Sequence, residues 1–528
     1  MNYFLNITFF LVLLSNVNGQ QIQSYFLDYK HDNNIVTVND LCSHYLDFEF
    51  QLPSNHSFLD LTIVNSIFVA CDSLEIDFIK KLNVDSIPDI RYKTGTERKK
   101  FIVRGDIFPF VFKDEIYQKL IFVELHLKTN LLTNYKKSSS VESSILSSGE
   151  WFNFRSNSDG IYRLSFQDLE SLGMDVSNLD PRNLRIFGHP AGMLPSNNSS
   201  ERPNDLIELA IEVVGQSDGI FDENDYVLFF GQSPHQWILN NNLFSRQQHY
   251  YDDYCYYFIS SDHGLGKRVD SFQSLFSADT TVNTFNDFQI HEIDNINLIK
   301  SGRNWFGEVF NNNDSKSYNF AFPNLTGNIN IKIALASNTP SPYNSQFNIS
   351  GAGMSTETIL INGVSGSYNK ANLSYFEKNI NPVSENIQLT IDHVTSSTSS
   401  SAWLDFIEIN AERDLKMSNE QMLFRSISSV KSNSVSEFLL SNVSPSTKIW
   451  DVTFPLSPKS IKGNNSAYEF SFKISTDTLR NFIAFDGDYL SVNLLGKVEN
   501  QDLHAIKNID YLIVSHPTFF EQANRLAN

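Results

Sequence analysis

The chain has 528 residues with 60 acidic and 40 basic side chains, a net charge of -20. That balance argues against nucleic acid or an anionic membrane as the main partner. Hydrophobic residues at 41% and aromatics at 13%, with 43 Phe and 21 Tyr, exclude a largely disordered chain. They supply core for roughly three to four domains and favour strands.

At the N-terminus, residues 3–14 form an apolar run too short to span a bilayer as a helix. Ser15-Asn16-Val17-Asn18-Gly19 follows, with Val17 and Gly19 at the small-residue positions of a signal-peptidase site. Residues 1–19 are therefore expected to be a leader cleaved after Gly19, although its first residues carry no Lys or Arg. No later run is long enough for a membrane-spanning helix. The chain has three cysteines, Cys42, Cys71 and Cys255. Cys42 and Cys71 can pair, but nothing in the sequence requires it. Cys255 lies in a strand-like run eight residues before His263. That spacing admits a Cys/His nucleophile, while a small core residue beside a loop histidine is the plainer account, since a catalytic thiol needs an exposed, electropositive turn.

Residues 20–135 read as a β-domain, in which Ile121, Val123, Leu125 and Leu127 alternate with Phe122, Glu124 and His126. The Ser-rich stretch 136–148 reads as a linker. In residues 149–300, Trp151-Phe152-Asn153-Phe154 and Gly160-Ile161-Tyr162-Arg163-Leu164 are expected to be strands joined by the turn Ser156-Asn157-Ser158-Asp159. Ser165 and Asp168 then cap a short helix that Gly173 ends. Asp180-Pro181-Arg182-Asn183 is a turn before a strand over 184–187, and another strand covers 226–230.

Between these strands, Asp218, Asp222 and Asp225 offer hard oxygen ligands around a glycine turn, and so form a candidate calcium site. The spacing is not that of an EF-hand: with Gly219 at the sixth loop position, Val214 and Gln216 fall where the first and third ligands belong. A solvated turn between strands explains the same residues. No cofactor is required by the sequence.

Residues 301–508 read as a further β-sandwich. Ile329, Ile331, Ile333 and Leu335 alternate, as do Ile387, Leu389 and Ile391, and later Tyr468, Phe470, Phe472 and Ile474. Trp305, Trp403 and Trp450 suit either a sugar-stacking platform or core positions, the second being the commoner use of a strand Trp. Asp405 and Glu408 on one strand would point to opposite faces, which speaks against paired acid/base glycosidase chemistry. In residues 509–528 a short apolar run, Ile509 with Tyr511-Leu512-Ile513-Val514, is followed by His516-Pro517 and a helix that Thr518 can cap. A buried strand feeding a helix opens a βαβ unit, which needs further strands to bury its faces, so the chain is expected to stop inside a domain. GxxxxGK[ST], HExxH, CxxC and GxSxG are absent.

Several separated motifs, in one order, carry a family resemblance. They are Gly149-Glu150-Trp151 with Gly160-Ile161-Tyr162-Arg163-Leu164, then Asp180-Pro181-Arg182-Asn183-Leu184-Arg185-Ile186-Phe187-Gly188 and Gly192-Met193-Leu194-Pro195. Asp225-Tyr226-Val227-Leu228-Phe229-Phe230-Gly231-Gln232 follows, with Pro234 and Trp237, and then Ser301-Gly302-Arg303-Asn304-Trp305-Phe306-Gly307-Glu308. Trp403-Leu404-Asp405-Phe406-Ile407-Glu408-Ile409 with Arg413 and Phe424-Arg425, Trp450-Asp451-Val452-Thr453, and Asp510-Tyr511-Leu512-Ile513-Val514 complete the series. From about residue 149 onward the chain resembles the N-terminal region of the PorU family, the gingipain-like (peptidase family C25-type) sortases of the type IX secretion system.

The resemblance implies a mainly β protein of tandem sandwich-type domains, ending in the first βα unit of a truncated caspase-like α/β (gingipain) domain. It further implies an exported, outer-membrane-associated cell-surface protein of Bacteroidota. The activity implied is that of a cysteine endopeptidase that removes C-terminal signals of secreted cargo and helps attach cargo to the surface. Implied partners are other type IX outer-membrane components of the PorV kind, cargo C-terminal signal domains, and anionic lipopolysaccharide through the catalytic domain. The family's Cys and His lie on that domain, and neither His504 nor His516 matches the catalytic histidine, so the resemblance brings no catalytic residue into these 528 positions. A non-catalytic surface module that binds proteins or glycans is the alternative reading.

Overall fold

The computed structural model describes residues 10–11, 15–17, 20–26, 46–52, 56–80, 84–97, 100–131, 143–197, 200–366, 368–466, 468–507 and 509–527. The chain divides into two compact units, one of residues 1–140 with 197–199 and one of the remainder. Both are built from strands.

In the first unit, Ile116–Leu131 pairs with His56–Ala70, Gln20–Phe26 and Phe110–Lys113. A second sheet has the order Leu46–Leu52, Lys100–Ile107, Ile90–Glu97. Of the expected alternating set, Val123 and Leu125 are buried with Phe48, Leu61, Val103, Ile107 and Leu120, while an irregularity opposite Ile67 and Phe68 places Leu120 rather than Ile121 in the core. Of the stretch read as a leader, Phe10–Leu11 and Ser15–Val17 pair antiparallel with Gln20–Phe26, and its other residues lie outside the described ones. Cys71 is a buried free thiol, and Cys42 is outside the described residues. Among the described residues no helix is long and apolar enough to cross a membrane.

The second unit begins inside the stretch read as a linker. Ile145–Ser147 forms a 3-10 turn capped by the Ser144 hydroxyl, and Leu146 is buried with Trp151 and Phe187. Asp502 and Asp205 accept the backbone N–H groups of Ser144 and Ile145 at 2.9 and 2.7 Å. Residues 143–148 are thus anchored, because one apolar side chain among the serines finds a pocket.

Three sandwiches make up this unit. In the first, a sheet of order Ile207–Leu209, Arg185–Gly188, Cys255–Ser260, Trp151–Ser156, Asn493–Val498 faces a sheet of order Glu212–Val214, Tyr226–Gly231, Gly160–Ser165, Leu490–Ser491. Phe152, Phe154, Tyr162, Phe229, Tyr257 and Ile259 fill the space between them. The capping box of Ser165 and Asp168 starts the helix Phe166–Leu172, and Gly173 ends it at φ 97°. Trp151–Ser156 and Gly160–Ser165 form where expected but do not pair with each other. The first pairs with Cys255–Ser260 and the second with Tyr226–Gly231, so the turn between them crosses from one sheet to the other.

The second sandwich packs Thr284–Glu292, Ala402–Asp414, Leu325–Ser337 and Asn372–Ile380 on Ser315–Ala321, Asn386–Thr395, Ser345–Gly351 and Met354–Ile361. Its core includes Ile329, Ile331, Ile333, Leu335, Ile387, Leu389 and Ile391, the residues whose alternation marked these strands. The third sandwich has Phe424, Phe438, Phe472 and Phe482 at its centre. It takes Asp270–Gln273 and Thr280–Val282 from before residue 300, while Leu490–Ser491 and Asn493–Val498 return to the first sandwich. The division at residue 300 therefore does not separate two folded bodies. Tyr468, placed by its spacing with Phe470, Phe472 and Ile474, lies before the strand Glu469–Ser475 and is 80% exposed.

At the C-terminal end the helix Phe520–Ala527 forms, but residues 509–514 take no ladder partner among the described residues, and no side chain over 509–527 is buried. A strand meant for two faces and two edges finds none of them here. Removing residues 509–528 is expected to change the unfolding free energy by no more than about 0.5 kcal/mol and to raise solubility. A large loss of stability in a denaturant titration would show that the segment docks.

Candidate functional site: two cavities beside a docked hairpin

The hairpin Gln236–Asn240 and Leu243–Gln247 forms a sheet of its own. Its two-residue turn puts Asn241 and Asn242 at φ 49° and 62°, a left-handed conformation that asparagine tolerates. Two side chains of Ala402–Asp414 hold the hairpin in place of a partner strand. Asn410 Nδ2 donates to the Phe244 carbonyl at 2.8 Å while its Oδ1 accepts the Phe244 N–H at 2.7 Å. Glu408, only 4% exposed, accepts the Ser245 hydroxyl at 3.0 Å and the Arg246 N–H at 2.9 Å. A buried carboxylate is tolerable because both oxygens are hydrogen-bonded.

One cavity beside the hairpin, of about 430 Å³, is lined among others by Glu292, Asp294, Asp405, Glu408, Arg246 and Trp305. Asp405 and Glu408 meet here, against the expectation of opposite faces, because of a β-bulge. Ala334 pairs with Phe406 and Leu335 with Leu404, which leaves Asp405 as the extra residue. Leu404 and Ile407 both face the core, three positions apart, and Asp405 is displaced to the side of Glu408. Burial pushes the Glu292 carboxyl up to about 7 against the pull of Arg246, with Asp294, Asp405 and Glu408 adding to the rise. Arg246 Nη1 stands 3.3 Å from Glu292 Oε2. Burial, then Asp294, lifts Asp405 to about 6. These groups can hold a proton near neutrality and take cationic or hydroxyl-bearing ligands.

The second cavity, of about 320 Å³, is lined among others by Asp159, Gln232, His235, Trp237, Arg425 and Asn481. Residues from some of the motifs quoted above line these cavities, Gln232, Trp237, Arg425, Val452 and Thr453 one and Arg303, Asn304, Trp305, Asp405, Phe406 and Glu408 the other, while the motifs at 149–151, 160–164, 180–188, 192–195 and 510–514 lie elsewhere.

Other sequence candidates are placed differently. Asp218 accepts the Ile220 N–H at 3.0 Å, Asp222 that of Asn224 at 2.9 Å, and Asp225 that of Asp222 at 3.1 Å. Asp225 is buried against Gly215, which at φ 96° has no room for a Cβ beside that carboxylate. The three acids thus cap the turn, and among the described residues no group of three His, Cys, Asp or Glu side chains is arranged to hold a metal ion. Cys255 pairs across from Ser156, and the His263 ring lies 4.9 Å from that of Trp151 at the other end of the same strand. At about 3.3 Å per residue these points are about 16 Å apart, too far for a thiol and its base. Burial also pushes the Cys255 thiol up to about 12, away from a reactive thiolate. Trp403 and Trp450 are buried, and only Trp305, 43% exposed, lines a cavity, so no three-Trp platform exists. Both cavities were out of reach of the sequence, since the smaller draws on Asp159 and Asn481 and the larger on Ile238 and Glu408, residues far apart in the chain.

Fold and site define a mainly β, multi-sandwich protein with polar cavities between its sheets. No protein-family model matches the sequence, and no curated protein matches it. Among solved structures the chain is similar to dimeric latent PorU from Porphyromonas gingivalis, with 23% identity and a TM-score of 0.62, covering 74% of this chain and 37% of that one. The chain thus spans little more than a third of that protein's length, and the likeness is one of fold. Cry4Aa toxin from Bacillus thuringiensis, at 11% identity, covering 66% of this chain and 58% of that one, reaches a TM-score of only 0.17, on which nothing is built.

Proposed function

We propose that this chain is the N-terminal region of a cell-surface sortase of the PorU kind, exported through a leader over residues 1–19. Within it the sandwiches serve as a non-catalytic scaffold and binding platform. The observation that supports this is the fold shared with PorU over 74% of the chain. In this reading the cysteine endopeptidase chemistry on cargo C-terminal signals belongs to a caspase-like domain following these residues. Components of the PorV kind, cargo signal domains and anionic lipopolysaccharide are its partners.

In a strain deleted for the gene, mass spectrometry of surface and medium proteins should find cargo with C-terminal signals retained. Normally trimmed cargo would overturn the proposal. The 1–528 chain itself is expected to show no turnover of a cargo C-terminal signal, because Cys255 has no positioned base. Cleavage abolished by Cys255→Ala would contradict that.

A further inference from the structure

The cavity of about 320 Å³ between the hairpin and the first and third sandwiches is lined by Gln232, whose side chain is left with unmet hydrogen-bonding capacity. Gln232 is 7% exposed and its Oε1 has no hydrogen-bond partner. The backbone of this residue is fixed on both sides, its N–H donating to Tyr257 Oη at 2.9 Å and its carbonyl accepting the Ser156 hydroxyl at 2.8 Å. These bonds fix the backbone from which the carboxamide projects, and a buried acceptor without a partner costs about 1–3 kcal/mol, which a ligand hydroxyl reaching it would relieve. Arg425 is 5% exposed, donates from Nε to Asn481 Oδ1 at 2.8 Å, and lies with its guanidinium 4.7 Å from the centre of the Phe288 ring. Phe288 in turn stacks on the partly buried Trp237 at 4.0 Å. Asp159, holding the Ser233 N–H at 2.8 Å, adds a carboxylate to the lining.

Charge selects the ligand. Arg425 and Asp159 balance, and burial, followed by the nearby Arg246, lowers the His235 pKa, which keeps that ring neutral at neutral pH. A carboxylate or phosphate drawn to Arg425 would meet Asp159, and an ammonium drawn to Asp159 would meet Arg425. Each would also lose its own hydration on entry. A hydroxyl both donates and accepts, so vicinal hydroxyls can satisfy the amide oxygen, the guanidinium and the carboxylate together, while the C–H face of a sugar ring lies on an indole. The volume is at the low end of the roughly 300–1,000 Å³ usual for small-molecule sites, which suits one ring rather than several. We propose that this cavity binds a single neutral pyranose unit of a saccharide, with Gln232, Arg425 and Asp159 holding its hydroxyls and Trp237 its ring face. The proposal is independent of the sortase reading.

The test is titration of the 1–528 chain with the methyl glycosides of glucose, mannose and galactose, and with glucuronate, glucosamine and inorganic phosphate as charged counterparts, followed by calorimetry and tryptophan fluorescence. At least one neutral glycoside should bind with a millimolar dissociation constant, and Gln232→Leu and Trp237→Ala should each weaken it about ten-fold or more. Circular dichroism and thermal unfolding establish that the variants are folded. Gln232→Glu, which keeps the shape and adds a second carboxylate, should shift preference toward glucosamine. Failure of all three neutral glycosides to bind, tighter binding of a charged counterpart, or binding unaffected by both folded variants would each overturn the proposal.

Discussion

Replacement of Trp450 by alanine is expected to destabilise the second unit by about 3–5 kcal/mol, the usual result of emptying a buried aromatic site. Trp450 is wholly buried in a cluster with Ile161, Leu228, Phe230, Val452, Ile483 and Phe485. Ile161, Leu228 and Phe230 come from one sheet of the first sandwich, and Trp450, Ile483 and Phe485 from one sheet of the third, so this cluster is where the two bodies join. The indole also meets the Phe485 ring edge-on at 5.4 Å. Because its Nε1–H has no partner, Trp450→Phe gives up no hydrogen bond and should cost less than about 2 kcal/mol. Denaturant unfolding of the two variants measures the difference, and a loss under about 1 kcal/mol for alanine would show that the sandwiches are held together elsewhere.

Glu292→Gln should have the opposite sign, and its size should depend on pH. The Glu292 side chain is 12% exposed, and its carboxyl protonates at about 7 in the fold instead of at the ordinary 4.5. Below pH 4.5 it is neutral whether the chain is folded or not, so it imposes no penalty. Between 4.5 and 7 the folded chain binds the extra proton, and stability falls as pH rises through that window. Above it the loss is complete, at about 3 kcal/mol. Glutamine keeps a hydrogen-bonding partner for Arg246 and removes the buried charge. The variant should therefore exceed the parent by about 2 kcal/mol near pH 8 and match it near pH 4. Equal pH slopes for the two proteins would mean that Glu292 is more hydrated than its burial indicates.

Legibility followed the range of the interaction. The helix Phe166–Leu172 was readable because Ser165, Asp168 and Gly173 bond within their own turn. The strands of the second sandwich were readable because successive side chains of a strand point to opposite faces whatever its partner is, so that Ile329, Ile331, Ile333 and Leu335 fall together on the core face. The anchoring of residues 143–148 was missed because Asp502, which ties them down, is 358 residues from Ser144. Of the candidate residues, Trp305, Asp405 and Glu408 were noted from the sequence and do line a cavity. Glu292, Gln232 and Arg425 had no chemical reading there, since their properties come from burial and from neighbours on other strands.

The sequence alone thus determined that the chain is mainly β, where the capped helix of the first sandwich and a minority of the strands lie, and which face of the clearly alternating strands is apolar. These follow from side-chain alternation and capping, which act between near neighbours. The tertiary structure decided strand pairing: Trp151–Ser156 and Gly160–Ser165 lie in different sheets, and Asn493–Val498 closes a sandwich begun some 340 residues earlier. It also decided the site, where one bulged residue turns Asp405 to the side of Glu408. An alternating pattern states which face is buried but not against what, and a bulge exists only relative to the strand it opposes.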